Sequence, residues 1–431
     1  MRNPVTLPRP WRGRTDESEG SDATEFQTAP ITPYVVGQTW NFLTLTLGGL
    51  LSFLLMGVVA VHAGETGFAS AFVHGKQPQH FELLPVLRER SWWLYSAWYY
   101  LQGLLVGANP SRQLLLNSGF LLVGALAMAK GVVLTGITMA SGFRRWWSLA
   151  FGFMLGTAIA FPVPQDWGSP YIGTIPPNVF MSATQLLANI GAVLCVFCLT
   201  IWLKNPNRQT LVLASVTAVV SAVAKPALTP AYLVVLALLL AYQVFAHRMR
   251  VLPAVRDAFV IGLIPAITVV LGFLPNYAGQ DAPFKTVWAP GATWAAFHEM
   301  SSSQASASFF SIGFDLLRSL AFPLVVLAAV SIGRRWSKDM IMTLAPAWLI
   351  MIVATVVFTL LGEATAKGKL FFAGNFMWGA VAANAALYVM SLLALKGLPL
   401  KITALPIVVL VVQCIGTALY FQHWLDTGTF L

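Results

Sequence analysis

The sequence predicts an all-α polytopic membrane protein of about eleven transmembrane helices. Three observations predict it. Of 431 residues, 57% are hydrophobic and only 10% are charged, against about 25% charged in a soluble domain. The apolar residues run in long blocks rather than in strict alternation, which excludes a β-barrel. The blocks are separated by short connections whose basic residues sort to one side. This composition excludes a soluble enzyme, a nucleic-acid-binding protein and a disordered chain. Three cysteines in the whole chain exclude a secreted disulfide scaffold. The net charge of +10 needs no nucleic acid, because cytoplasmic loops collect Lys and Arg.

In chain order, residues 1–37 are polar. Arg2, Arg9, Arg12 and Arg14 precede Asp16, Glu17, Glu19, Asp22 and Glu25. This reads as a disordered cytoplasmic tail. The apolar stretch that follows begins too late for a signal peptide. Residues 38–431 form a single transmembrane domain. Apolar blocks fall near 39–62, 114–139, 147–163, 184–203, 209–226, 229–246, 257–275, 316–333, 340–361, 376–395 and 402–422. A spanning helix needs about 20 apolar residues. Ser91–Gly107 is apolar but short and crowded with Trp and Tyr, which prefer the membrane–water interface. If it does not span, sixteen basic residues fall inside and nine outside. If it spans, later loops change sides and the inside count drops to ten. The first arrangement is preferred. It puts the N-terminus in the cytoplasm, the C-terminus outside and an interfacial helix in the first outer loop. The outer loops are 63–113, 164–183, 276–315 and 362–375. Together with the C-terminal segment, which carries Asp426, they hold nine of the sixteen acidic residues, so chemistry is expected on that side.

The first outer loop is the richest. His62, Glu65, His74, Lys76, His80 and Glu82 lead to Arg88-Glu89-Arg90, and Gly64 and Gly67 flank the first acid. A carboxylate at the membrane surface can act as general base on an acceptor hydroxyl, and nearby Arg side chains can hold a phosphate bidentately. The bland alternative is a solvated residue at a helix end. A second cluster runs from Glu363 through Lys367 and Lys369 to Gly374-Asn375-Phe376-Met377-Trp378-Gly379. Backbone N–H groups at a helix start favour anions. The bland reading is a capped helix with snorkelling lysines. Lys225-Pro226 interrupts an apolar stretch. Proline frees backbone groups there, and an ionisable residue in such a break is a functional candidate. Lys130 lies inside an apolar block and is expected either to face the bundle interior or to snorkel. Asp315 and Arg318 share a helix face; a local ion pair is the favoured reading and a pyrophosphate contact through Arg318 the sharper one. Cys195 and Cys198 sit mid-helix, where packing is the expected role. No nucleotide-binding or zinc-hydrolase motif is present.

A carboxylate just after the first span, followed by an outer loop with interfacial helices, resembles the GT-C superfamily of membrane glycosyltransferases. The resemblance covers residues 40–110 in detail and the rest only as architecture. It implies Glu65 as the acceptor-activating base and a polyprenyl-phosphate-linked sugar as donor. That family often carries paired acids here, whereas this chain has one Glu between glycines, so a divalent metal is left open. Pro176-Pro177-Asn178, Ala224-Lys225-Pro226, Ser319 to Pro323 and Glu363 with Gly374–Gly379 also look like segments of uncharacterised multi-span proteins from polysaccharide loci.

The expected function is therefore transfer of a sugar at the outer face of a bacterial inner membrane, in cell-surface polysaccharide or glycolipid assembly. The partners are the lipid-linked donor, the bilayer and polysaccharide-assembly proteins. Glu65 is the expected catalytic residue. His62, His80, Glu82, Arg88, Arg90, Lys225, Arg318, Glu363, Lys367, Lys369 and Asn375 are the expected substrate-binding set. Two alternatives stand beside it: a polysaccharide polymerase or ligase, which relies on outer Arg residues to hold a pyrophosphate, and a lipid-linked sugar flippase or secondary transporter. The last predicts polar groups near the membrane midplane.

Overall fold

The structure, a computed structural model, describes residues 39–66, 96–162, 175–178, 183–246, 248–277, 284–291, 294, 309–333, 335–365, 370–371 and 375–427. It is mostly helical. In order come α1 (Thr39–Thr66), α2 (Ala97–Val106), α3 (Arg112–Ala140), α4 (Arg145–Thr157), α5 (Ala183–Lys204) and α6 (Arg208–Ala224). A 3₁₀ turn at Pro226–Leu228 leads to α7 (Thr229–Phe245) and α8 (Val251–Tyr277). After strand β1 (Phe284–Trp288) come α9 (Phe309–Ser319), α10 (Ala321–Ile332) and α11 (Lys338–Leu360). Strands β2 (Leu361–Thr365) and β3 (Leu370–Phe371) precede α12 (Asn375–Ala394) and α13 (Leu400–Thr427). Each of the eleven apolar blocks carries a helix. Among the described residues, seven helices are long and apolar enough to cross a membrane, and the pair α9–α10, bent by 75°, makes an eighth if it is one span.

The ambiguous aromatic segment contains the ten-residue helix α2. At 1.5 Å per residue it covers about 15 Å, half of a bilayer core of about 30 Å. Ser96 caps it through its hydroxyl, and Trp98, Tyr99 and Gln102 are buried. Gln102 donates to the Leu115 carbonyl of α3 at 3.1 Å.

Helix α12 is the centre of the bundle, with 89% of its span buried. Small residues make this possible: Ala380, Ala382, Ala383 and Ala386 let neighbours approach closely. At the edge, α1 runs antiparallel to α3. A Cβ on Gly131 would stand 2.3 Å from the Gly48 carbonyl oxygen, so the backbones touch only because both residues are glycine.

The helix ends sort into two sets. Asn41 accepts from Arg145 at 3.0 Å, Lys204 pairs with Asp339 at 2.8 Å, and Lys396 lies against Gly142. These residues mark one end of the bundle. The opposite end gathers Ser96, Lys225, Trp378 and a small antiparallel sheet ordered β1-β2-β3. Glu363 in β2 stands opposite Thr286 of β1 and Phe371 of β3. The sheet was not expected from the apolar pattern, because strands of five and two residues give no readable period.

Two blocks hold half-length helices. α4 has 13 residues and α10 has 12, about 20 Å and 18 Å long. The apolar run of α4 continues past Thr157 without helix, and that of α10 begins before the helix, at the bend after Ser319. Phe161 instead lies against Arg318, its N–H donating to the Arg318 carbonyl at 3.0 Å.

Candidate functional site

The site forms where α6 is interrupted. Pro226 lacks an N–H, so α6 ends at Ala224 and its last carbonyls need other partners. Ser96, at the return of the first loop, donates its hydroxyl to the Ala224 carbonyl at 2.7 Å. The 3₁₀ turn lies against α12. A Cβ on Gly379 would meet the Ala227 carbonyl oxygen at 2.4 Å, so only glycine lets α12 come this close.

That approach brings the Lys225 side chain over Trp378, with its Nζ 4.8 Å from the ring centroid. Lys225 is 2% exposed. Its ammonium also donates to the Thr184 hydroxyl at 3.5 Å. Glu363, equally buried, lies close enough for its charge to act on Lys225. A desolvated cation over an indole gains about 2 kcal/mol. That offsets only part of the desolvation cost of a buried lysine, which is several kcal/mol; the nearby carboxylate supplies more.

A polar string runs inward from this point. Gln185 of α5 donates to the Trp378 carbonyl at 3.2 Å and to Asn189 at 2.8 Å. Asn189 donates to the Pro177 carbonyl at 3.2 Å. The neighbouring Asn178 donates to the carbonyls of Leu155 and Ala158 at 2.9 and 2.7 Å. Asn178 also accepts from Lys130, whose ammonium donates to the Gly156 carbonyl at 3.1 Å. Lys130 thus faces the bundle interior and is held by an amide and a carbonyl. The string fixes Trp378 from behind and ties it to the end of α4.

A second network lies deeper. Asn384 of α12 donates to the carbonyls of Ile175 and Ser319 at 2.7 and 2.9 Å. Tyr388 donates to Ser319 at 3.0 Å. Gln413 of α13 donates to the Ile159 carbonyl at 2.9 Å and to Tyr388 at 2.7 Å. Arg318 pairs with Asp315 at 3.1 Å and donates through Nε to the Phe161 carbonyl at 2.9 Å. Every donor here serves a backbone carbonyl left open by a broken helix, which is what irregular backbone at membrane depth requires.

Of the residues expected from sequence, Lys225 and Glu363 meet at one site. Trp378, part of the quoted Gly374–Gly379 segment, joins them. Arg318 is elsewhere, engaged with Asp315 and Phe161. His62 and Glu65 fall in the last turns of α1, where only the backbone course is described. The helix thus runs three residues past the expected loop start at 63. Asn375 is the first residue of α12. His80, Glu82, Arg88, Arg90, Lys367 and Lys369 lie outside the described residues. Thr184, Gln185, Asn189, Asn384, Tyr388 and Gln413 were not anticipated. Single uncharged polar residues inside apolar helices carry no charge or period signal. Cys195 and Cys198 are buried in α5. Among the described residues, no group of His, Cys, Asp and Glu is placed to hold a metal.

A buried ammonium, an aromatic face and a carboxylate thus lie together, away from solvent, at the interruption after α6. No protein-family model, no curated protein and no solved structure matches the chain.

Proposed function

We propose that the protein is an integral membrane glycosyltransferase that uses a polyprenyl-phosphate-linked sugar at the outer face of a bacterial inner membrane. The observation that carries this reading is the meeting of Lys225, Trp378 and Glu363 at an interrupted helix, next to Ser96, where the first loop returns. Lys225 holds the donor phosphate. Trp378 stacks on a sugar ring. Glu65, in the last turn of α1, remains the acceptor-activating base by resemblance, and Glu363 is the acid nearest the phosphate.

The topology belongs to the same proposal. The end that holds Asn41, Arg145, Lys204 and Lys396 also collects Arg144, Arg208, Arg248, Arg250 and Lys401. Under the positive-inside rule it is cytoplasmic. Lys225 and Glu363 then lie on the outer side. Eleven segments cross or half-cross the bilayer, with the C-terminus outside. The deeper network favours an enzyme over a transporter, because its donors are committed to backbone carbonyls rather than to an ion or sugar path.

The test is transfer of labelled sugar from polyprenyl phosphate in proteoliposomes. Glu65→Gln and Glu363→Gln each remove a carboxylate with little change of shape. Loss of a general base lowers turnover about 10²- to 10⁴-fold. One of the two variants is expected to show that loss with normal expression. Full activity in both removes the base from the account.

A further inference from the structure

Helix α9 is inverted relative to a helix in water. Phe314 and Leu317 are 53% and 58% exposed, while Asp315 and Arg318 are 9% and 6% exposed. A surface helix of a soluble protein turns its charges outward and its apolar side inward. Here the charged face is turned onto the protein and fixed there. Arg318 reaches Asp315 and the Phe161 carbonyl, and its guanidinium lies 5.6 Å from the Phe314 ring centroid. A Cβ added at Gly313 would meet nothing within 4 Å.

The depth of α9 follows from its partners. The bend between α9 and α10 falls at Ser319–Leu320, and Ser319 is held by Asn384. Asn384 is the tenth of the 20 residues of α12, the most buried helix of the bundle. Phe161, which pairs with Arg318, follows Ile159, and Ile159 is bonded to Gln413, the fourteenth of the 28 residues of α13. Both contacts place the bend about halfway along the transverse helices. From there α9 departs at 75° to α10.

We infer that α9 is a re-entrant helix lying within the hydrocarbon of the bilayer, with Phe314 and Leu317 against lipid acyl chains and the Asp315–Arg318 pair sealed against the protein. The partner of this surface is the apolar part of the lipid. The short helices α4 and α10 end at the same level, so in this sector α9 and the segments 158–162 and 175–178 take the place of continuous helix. The Arg318–Phe161 contact fastens α9 to the chain that leaves α4. The inference does not depend on what reaction the protein performs.

Nitroxide labels test it. Leu317→Cys and Phe314→Cys are labelled separately in the full chain lacking its native cysteines and reconstituted in phosphatidylcholine–phosphatidylglycerol vesicles. Collision with oxygen, which partitions into hydrocarbon, is compared with collision with a water-soluble nickel chelate. Val216→Cys on α6, 53% exposed, is the lipid reference, and Asn205→Cys in the exposed turn after Lys204 is the aqueous one. The expected result is high oxygen accessibility at 317 and 314, with nickel accessibility at least tenfold below that of 205. Nickel accessibility equal to that of 205 puts α9 in water and overturns the inference. Low accessibility to both reagents means that protein covers the face, and overturns it as well. The two labels are independent, so failure of one variant to fold leaves the other reading.

Discussion

Lys225 is the residue on which the site turns. Replacing it with Met keeps most of its volume and removes the charge. The expected outcome is at least tenfold weaker retention of a phosphorylated lipid, read by binding of labelled polyprenyl phosphate, together with a lower thermal midpoint, because Glu363 is left buried without its nearby cation. Glu363→Ala removes the other partner. It leaves a buried ammonium without its nearby carboxylate, and breaking such a pair costs about 3–5 kcal/mol. A lower thermal midpoint in detergent checks this, and the double variant Lys225→Met/Glu363→Ala is expected to recover part of the loss. Lys225 was legible from sequence because a charge beside a proline stands out in an apolar run. Asp315 and Arg318 were legible as an ion pair because their spacing puts them on one helical face. Gln185 and Asn189 were not legible. Gln185 serves the Trp378 carbonyl in the first turn of α12 and Asn189 the Pro177 carbonyl in non-helical chain, partners that appear only once the chain is folded.

Element-scale predictions concern close contacts and broken helices. Gly379→Ala forces α12 from the turn at 226–228, where the added methyl carbon would meet the Ala227 carbonyl at 2.4 Å. Overpacking of this kind costs about 1–3 kcal/mol, and the displacement also separates Trp378 from Lys225. The variant is expected to lose both thermal stability and lipid retention, whereas Gly313→Ala, in open space, is expected to lose neither. Asn384→Leu leaves the Ile175 carbonyl without this donor and the Ser319 carbonyl with Tyr388 alone. Each unsatisfied group costs about 1–3 kcal/mol, so this variant is expected to be among the least stable in a thermal scan. The apolar blocks gave the helices well, since hydrophobic length is what a bilayer selects. They concealed the half-helices, because the residues after Thr157 remain apolar while the backbone leaves the helix, and the residues around Ser319 remain apolar across the bend.

At the scale of the whole molecule, the helix ends sort into a basic set and a set that holds Lys225, Glu363 and the small sheet. With the basic end in the cytoplasm, a fluorescent protein fused to the N-terminus is expected to fluoresce, and alkaline phosphatase fused after Leu431 is expected to be active. An inactive C-terminal phosphatase in an expressed, membrane-inserted fusion contradicts this orientation. The proposed sidedness comes from Lys and Arg counts alone, because charge placement is a property of loops rather than of packing. The end that holds Lys225 and Glu363 was not readable in the same way. It is assembled from residues near positions 96, 184, 225, 363 and 378, and only the packing around α12 unites them.

The most direct measurement of the central claim is mass spectrometry of lipids that co-purify with the wild-type chain and with Lys225→Met in mild detergent. The account predicts a polyprenyl monophosphate, free or sugar-loaded, in the wild type and at least tenfold less in the variant. Bulk phospholipid alone in the wild type, or a polyprenyl phosphate retained equally by both proteins, contradicts it.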